Sequence, residues 1–249
     1  MTNALETLGL NKSFGALPVA SSINFCLEEG ARHALIGPNG AGKTTFINLI
    51  TGRLRPSSGL ILLGGADVTD LSESDRVRRG LGRTFQINTL FRGLTVLENV
   101  FLCVSEREGL SRQMFHRANK RRDLIEESYA LLESLRIPDV ALAQVNELPY
   151  GKQRLVELAI ALALKPRVLL LDEPAAGLPS SESSIVLETI ERLPRNIAVL
   201  IIEHDMDLVF RIAKRITVLV QGSVLTEGTP DEIQHDRRVR EVYLGEGHS

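Results

Sequence analysis

The run Gly37-Pro38-Asn39-Gly40-Ala41-Gly42-Lys43-Thr44, followed by Thr45, holds the densest chemistry in this 249-residue chain. Its glycines leave room for backbone N–H groups to curl around phosphate oxygens. Lys43 brings a charge suited to the outer phosphates of a nucleotide, and the Thr44 hydroxyl is a hard ligand for Mg2+. Such a loop needs a strand to deliver it and a helix that starts within it, because the helix N-terminus adds positive potential. Both are legible. ARHALIG (31–37) is an apolar run ending at the first glycine, and residues 43–51 have a helical pattern.

A second group is VLLLDE (168–173). Asp172 at the end of an apolar strand suits an Mg2+ shell, and the following Glu173 can orient or deprotonate an attacking water. A strand ending in Asp-Glu-Pro can also be a plain turn; the phosphate loop upstream favours the chemical reading. A third group is LPYGKQR (148–154). It opens a helix in which Leu155, Leu158, Ala159, Leu162 and Ala163 form an apolar face, with Lys152, Arg154 and Glu157 expected outside it. Gly151 would keep the backbone clear there, and a helix N-terminus favours an anion even without a side-chain hydroxyl.

These groups need a scaffold. RVLLLDEP (167–174), NIAVLIIEH (196–204) and RITVLVQG (215–222) are continuous apolar runs bounded by breakers, which suits parallel strands buried on both faces. Residues 4–10, 19–28 and 31–36 also read as strands, as does LILLGG (60–65), and GRTFQ (82–86) reads as a strand end. From about 87 to 165 the pattern turns helical, with TVLENVFL (95–102) and DLIEESYALLESL (123–135) at helical spacing. Thr229-Pro230-Asp231-Glu232 is a capping box with proline at the first helical position. The expectation is a parallel α/β core interrupted by a helical insertion.

The net charge of -2 gives no basic signature, so nucleic acid is not an expected partner. Cys26 and Cys103 are far apart, without metal spacing, and fit a packing role in a reducing compartment. No charged-then-apolar leader is present, and no apolar run approaches the roughly 18 residues that span a bilayer. The expectation is a soluble intracellular protein whose membrane work passes through a partner.

Taken together, the motifs resemble the ATP-binding subunit of ATP-binding-cassette (ABC) proteins, in family order and over nearly the whole chain. Phe14 in KSFG matches the aromatic that stacks on adenine, and GPNGAGKT the Walker A loop. Gln86 in RTFQ matches the Q-loop, and LPYGKQR the signature, usually LSxGxQ. VLLLDE matches Walker B, AGLP (176–179) the D-loop and His204 in IIEHD the switch histidine. The resemblance implies an α/β P-loop NTPase cassette: a RecA-like parallel-sheet core, an antiparallel β subdomain and a helical subdomain. It implies one domain over 1–249, with 1–86 and 166–249 as core and 87–165 as helical subdomain. ATP and Mg2+ are the implied cofactors, with Thr44, Gln86 and Asp172 at the metal. Glu173 is the implied general base, His204 steadies the γ-phosphate, and Lys43 and Gln86 assist. Pro149, Tyr150, Gly151, Lys152 and Gln153 would face the nucleotide held by an opposing subunit.

Two positions depart from the family pattern. The signature serine is Pro149, and the D-loop aspartate is Pro179. Both losses fall on the surface offered to the opposing subunit, which implies a heterodimer with a second, different ATPase carrying a regular signature.

RTFQINTLFRGLTVLENV, LPYGKQR, DEPAAGLP, IEHDMDLVF and the tail EGTPDEI…VYLGE are similar to the LivG-type importer ATPases for branched-chain or hydrophobic amino acids. That group implies a bacterial importer with two permease subunits and an extracytoplasmic solute-binding protein. This chain would sit peripherally on the cytoplasmic face of the inner membrane. Three alternatives stay open: an ATPase of another ABC transporter (urea or amide, aromatic acid, lipid export), a non-transport ABC ATPase, and a clamp without turnover. The basic segment 105–122 reads either as a solvated loop or as a permease or lipid-headgroup contact.

Overall fold

The computed structural model describes residues 3–84, 90–109 and 118–244. The chain divides into two compact units. The first comprises the chain up to Leu81, Arg167–Glu173 and the chain from Pro194 onward; the second comprises Gly82–Pro166 and Pro174–Leu193.

In the first unit, β1 (Asn3–Phe14) pairs antiparallel with β2 (Leu17–Glu28) and with β4 (Ser58–Leu63), and short β5 (Ala66–Asp67) extends that sheet. A second sheet carries the chemistry. β3 (Arg32–Ile36) lies parallel between β8 (Ala198–Ile202) and β9 (Arg215–Val220), and β7 (Val168–Asp172) lies parallel beyond β8. β10 (Ser223–Gly228) closes one edge antiparallel to β9, and β6 (Leu81–Arg83) lies at the other edge, where the chain leaves the unit. β3, β7 and β8 are buried almost without interruption, as their unbroken apolar runs require. One core joins the sheets to α1 (Lys43–Thr51), with Phe25, Phe46, Leu49, Leu170 and Leu200 buried within it.

A buried cation anchors α1. Arg76, on α2 (Glu73–Arg78), is 1% exposed. Its guanidinium donates to the carbonyls of Leu49 and Ile50 at 2.7 and 2.6 Å, and to those of Thr69 and Leu71 at 2.7 and 3.2 Å. The last carbonyls of a helix have no intrahelical partner, and here an arginine satisfies two of them.

The second unit packs α3 (Val96–Arg107), α4 (Ala118–Ser134), α5 (Tyr150–Ala163) and α6 (Ser180–Glu191). Thr95 begins α3 with a full capping box to Glu98. Arg107 ties three helices together, pairing with Glu127 at 2.8 Å and donating to the Ala163 carbonyl at 2.6 Å.

The α/β class, the parallel core and the antiparallel sheet agree with expectation. One sequence expectation is corrected. Glu157, expected outside the apolar face of α5, is 4% exposed, and Val156 and Ala161 are buried as well. The helix is enclosed nearly all round, and the charge is tolerated because Arg154 pairs with it at 3.0 Å one turn earlier. Burial pushes the Glu157 carboxyl up to about 7 against the pull of Arg154. Both cysteines are free thiols, and burial raises the pKa of each. Among the described residues no helix is long and apolar enough to cross a membrane.

Candidate nucleotide site

Register places the chemistry. Ile202 of β8 is level with Leu35 of β3 on one side and with Asp172 of β7 on the other. Three adjacent parallel strands therefore end together. They hand over to the loop beginning at Gly37, to the pair Asp172-Glu173, and to Glu203-His204. Ligands of open parallel sheets bind outside such carboxyl ends.

The loop 37–42 is held by the sheet that delivers it. The Gly222 N–H donates to the Ala41 carbonyl at 2.9 Å, and the Ala41 N–H to the Pro38 carbonyl at 3.1 Å. Gly37 has φ 154°, and a Cβ there would stand 2.2 Å from the Leu219 carbonyl oxygen. Only glycine lets the chain turn so close to β9. Asn39, Gly40 and Thr44 are exposed, Pro38, Gly42, Lys43 and Thr45 half-buried, and Gly37 and Ala41 buried. Lys43 folds its ammonium back onto the carbonyls of Gly37 and, at 3.0 Å, Pro38. The cation thus sits inside the concave loop, where an oxyanion would meet it.

At the neighbouring strand ends, His204 Nδ1 lies 3.4 Å from Glu173 Oε1 and 3.9 Å from Glu203 Oε2. Glu173 adopts φ 48°, a left-handed backbone that few side chains accept, and its N–H donates to the Ile202 carbonyl at 2.9 Å. The carboxylate and the imidazole are both well exposed, while Glu203 is 3% exposed. Glu203 is absent from the expected site residues, and its place directly before His204 is the only sequence signal that points to it. Phe14, the last residue of β1, is 52% exposed, with the Lys12 ammonium over its ring at 5.1 Å from the ring centre. Among the described residues no group of three His, Cys, Asp or Glu could hold a metal alone. The available donors are the Thr44 hydroxyl and the Asp172 carboxylate, two hard oxygens that fit a Mg2+ sharing its shell with phosphate oxygens. Gln86 lies outside the described residues.

The second unit carries 148–154. Pro149 is the N-cap of α5, not its first helical residue, and offers no side-chain acceptor. Pro179 likewise N-caps α6. Gly151 is buried, Tyr150 is exposed, and Lys152 pairs with Asp139 at 2.6 Å. Gln153 Nε2 donates to the Leu148 carbonyl at 2.8 Å, and Arg154 reaches the Tyr150 hydroxyl at 2.9 Å.

The ABC transporter profile matches residues 20–176, which spans the loop, the α5 segment and the β7 acids. The chain belongs to the ABC transporter family. Like others of the family, this ABC chain is an ATP-hydrolysing cassette. A further profile, that of the branched-chain amino acid ATP-binding cassette transporters, matches residues 223–249. The chain is 38% identical over 250 residues to the high-affinity branched-chain amino acid transport ATP-binding protein BraF of Pseudomonas aeruginosa, covering 97% of this chain and 98% of BraF. It is 38% identical over 249 residues to the corresponding protein LivG of Escherichia coli, covering 97% of this chain and 98% of LivG. Among solved structures, the ADP conformation of MJ1267, an ATP-binding cassette of an ABC transporter, superposes with a TM-score of 0.86 at 27% identity. That likeness covers 98% of this chain and 99% of MJ1267.

Proposed function

We propose that this ABC cassette binds and hydrolyses ATP to power an importer of branched-chain or other hydrophobic amino acids. The observation that carries the ATPase reading is the common ending of β3, β7 and β8, with the glycine loop, Asp172-Glu173 and His204 following directly from their carboxyl ends. The solute class rests on the match of residues 223–249 and on the two bacterial relatives.

In this reading the Gly37–Thr45 backbone wraps the phosphates, and Lys43 exchanges its two loop carbonyls for β- and γ-phosphate oxygens. Thr44, Asp172 and Gln86 would hold Mg2+, which supplies positive charge at the phosphates. Glu173 takes the proton of the attacking water, and His204 orients Glu173 and steadies the γ-phosphate. Phe14, half exposed, would stack on adenine. Residues 149–153 turn the start of α5 toward the nucleotide of an opposing subunit. Pro149 removes one hydroxyl donor there, and a charge-assisted hydrogen bond contributes roughly 1.5–3 kcal/mol. A second, different ATPase with a regular signature is therefore the fitting partner for this chain's own nucleotide.

The assembly is a single cassette per chain, docked on two permease subunits at the cytoplasmic face of the inner membrane. A solute-binding protein feeds it from outside, and nucleic acid has no part in it. Cells lacking the chain should lose uptake of labelled leucine, isoleucine and valine, and Lys43→Ala should fail to restore it; undiminished uptake would refute the solute class. Light scattering of purified Glu173→Gln with ATP tests the partner. It should remain a monomer alone and associate when the second ATPase is added. A stable homodimer would refute the heterodimer.

A further inference from the structure

The first turn of α5 already holds an anion, and the chain itself supplies it. Glu182, in the first turn of α6, accepts the Gly151 N–H on Oε2 at 2.8 Å. Contact is close along the whole side chain: a Cβ on Gly151 would stand 2.5 Å from that oxygen and 3.1 Å from the Glu182 Cβ. The cause lies two residues back. Pro149 caps α5 without a side-chain acceptor, so the helix opens with N–H groups that its own cap cannot satisfy. A carboxylate from the neighbouring helix takes the place a serine side chain would fill.

We infer that Glu182 gates the nucleotide-facing end of α5, holding the Gly151 N–H until the γ-phosphate of an opposing subunit displaces it. The inference rests on the reading of 148–154 as the nucleotide-facing signature. One N–H cannot serve a carboxylate and a phosphate at full strength, and two anions in contact repel. Closure of the composite site therefore includes the departure of Glu182. The departing carboxylate has a place to go. A cavity of about 370 Å3 opens beside it; Arg136 stands on its wall, as do Lys152, which also pairs with Asp139, and Arg192, which also pairs with Glu188 on the same wall. Glu182 is a positioning residue: it sets how readily α5 accepts phosphate and takes no part in bond making.

The test uses the assembled transporter, with the second ATPase carrying glutamine in place of its own general-base glutamate so that the ATP facing α5 is retained. The readout is the ATP concentration giving half-maximal nucleotide occlusion. Adding Glu182→Gln keeps the shape and an acceptor oxygen but removes the charge. Occlusion should then occur at about tenfold lower ATP, the difference between a charge-assisted and a neutral hydrogen bond. ATP affinity of the isolated chain at its own phosphate loop should stay unchanged. A purely structural cap would leave occlusion unchanged or weaken it, and either result overturns the gate. Gly151→Asp separates the two levels of the argument. An acid in the first turn suits the helix but repels phosphate, and its Cβ pushes aside the Glu182 side chain, whose carboxyl end is flexible; this variant should fold, as circular dichroism would show, and fail to occlude. If folded Gly151→Asp occludes normally, the signature reading itself fails, and the gate with it. If it fails to occlude while Glu182→Gln matches its parent, the signature stands and the gate alone is wrong.

Discussion

Replacing Gly37 by alanine tests whether the sheet dictates the shape of the phosphate loop. The new methyl would stand 2.2 Å from the Leu219 carbonyl oxygen and 3.0 Å from the Ala41 Cβ. Relief requires β9 or the loop to move by about 1 Å, and overpacking of that kind typically costs about 1–3 kcal/mol. The backbone at φ 154° adds about 1–3 kcal/mol for a residue with a side chain. The expected loss is thus about 2–6 kcal/mol. Gly40→Ala is the control: its φ is 77° and its Cβ would meet nothing within 4 Å, so only about 1–2 kcal/mol of backbone strain applies. The chain has no tryptophan and three tyrosines, so far-UV circular dichroism in urea is the suitable probe. Binding of a fluorescent ATP analogue should weaken with Gly37→Ala, because the moved loop no longer encloses the phosphates. If Gly37→Ala unfolds at the wild-type urea midpoint, or no earlier than Gly40→Ala, the loop is not held by β9 as described.

Two further outcomes follow from groups buried in the first unit. Arg76→Met should cost about 3–5 kcal/mol in urea unfolding, because several buried carbonyls lose their donor at once; a loss below about 1 kcal/mol would show those carbonyls finding other partners. His33 is 1% exposed and bonded to the Thr217 hydroxyl at 2.8 Å, which in turn donates to Glu227 at 2.9 Å. Burial pulls its pKa down to about 4, with the Glu227 carboxylate opposing and the Arg215 guanidinium assisting. The folded state therefore holds His33 neutral. Its contribution is complete above the unfolded value near 6.5 and is lost as pH falls toward about 4, by roughly 2–3 kcal/mol at pH 4.5. Urea titrations at pH 7 and 4.5 should show that loss in the wild type and a smaller one in His33→Leu; equal losses would remove His33 as the cause.

Much of this was legible because the phosphate loop and the β7 acids are local patterns with a mechanism. An apolar run that stops at Gly37 or at Asp172 reports both a buried strand and its end, so strand and site were read from the same residues. β10 was not read: Ser223–Gly228 is a half-buried edge strand without an apolar pattern. Glu157 misled because helical periodicity assumes one solvent face, whereas α5 is enclosed and neutralises its acid with Arg154. The Glu182–Gly151 bond joins residues 31 positions apart, and no spacing rule connects them. Pro149 shows the limit most clearly. The sequence revealed a missing hydroxyl, and only the folded chain revealed the carboxylate set in its place.

The most direct measurement of the central claim is phosphate release by the assembled transporter in which this chain alone carries Glu173→Gln. In the proposed mechanism Glu173, 3.4 Å from His204 at the strand ends, is the base of the site that dominates turnover. ATP binding should stay within about twofold of wild type while steady-state release falls at least about a hundredfold, the lower range for removing a general base. Release near the wild-type rate with ATP bound would contradict the account.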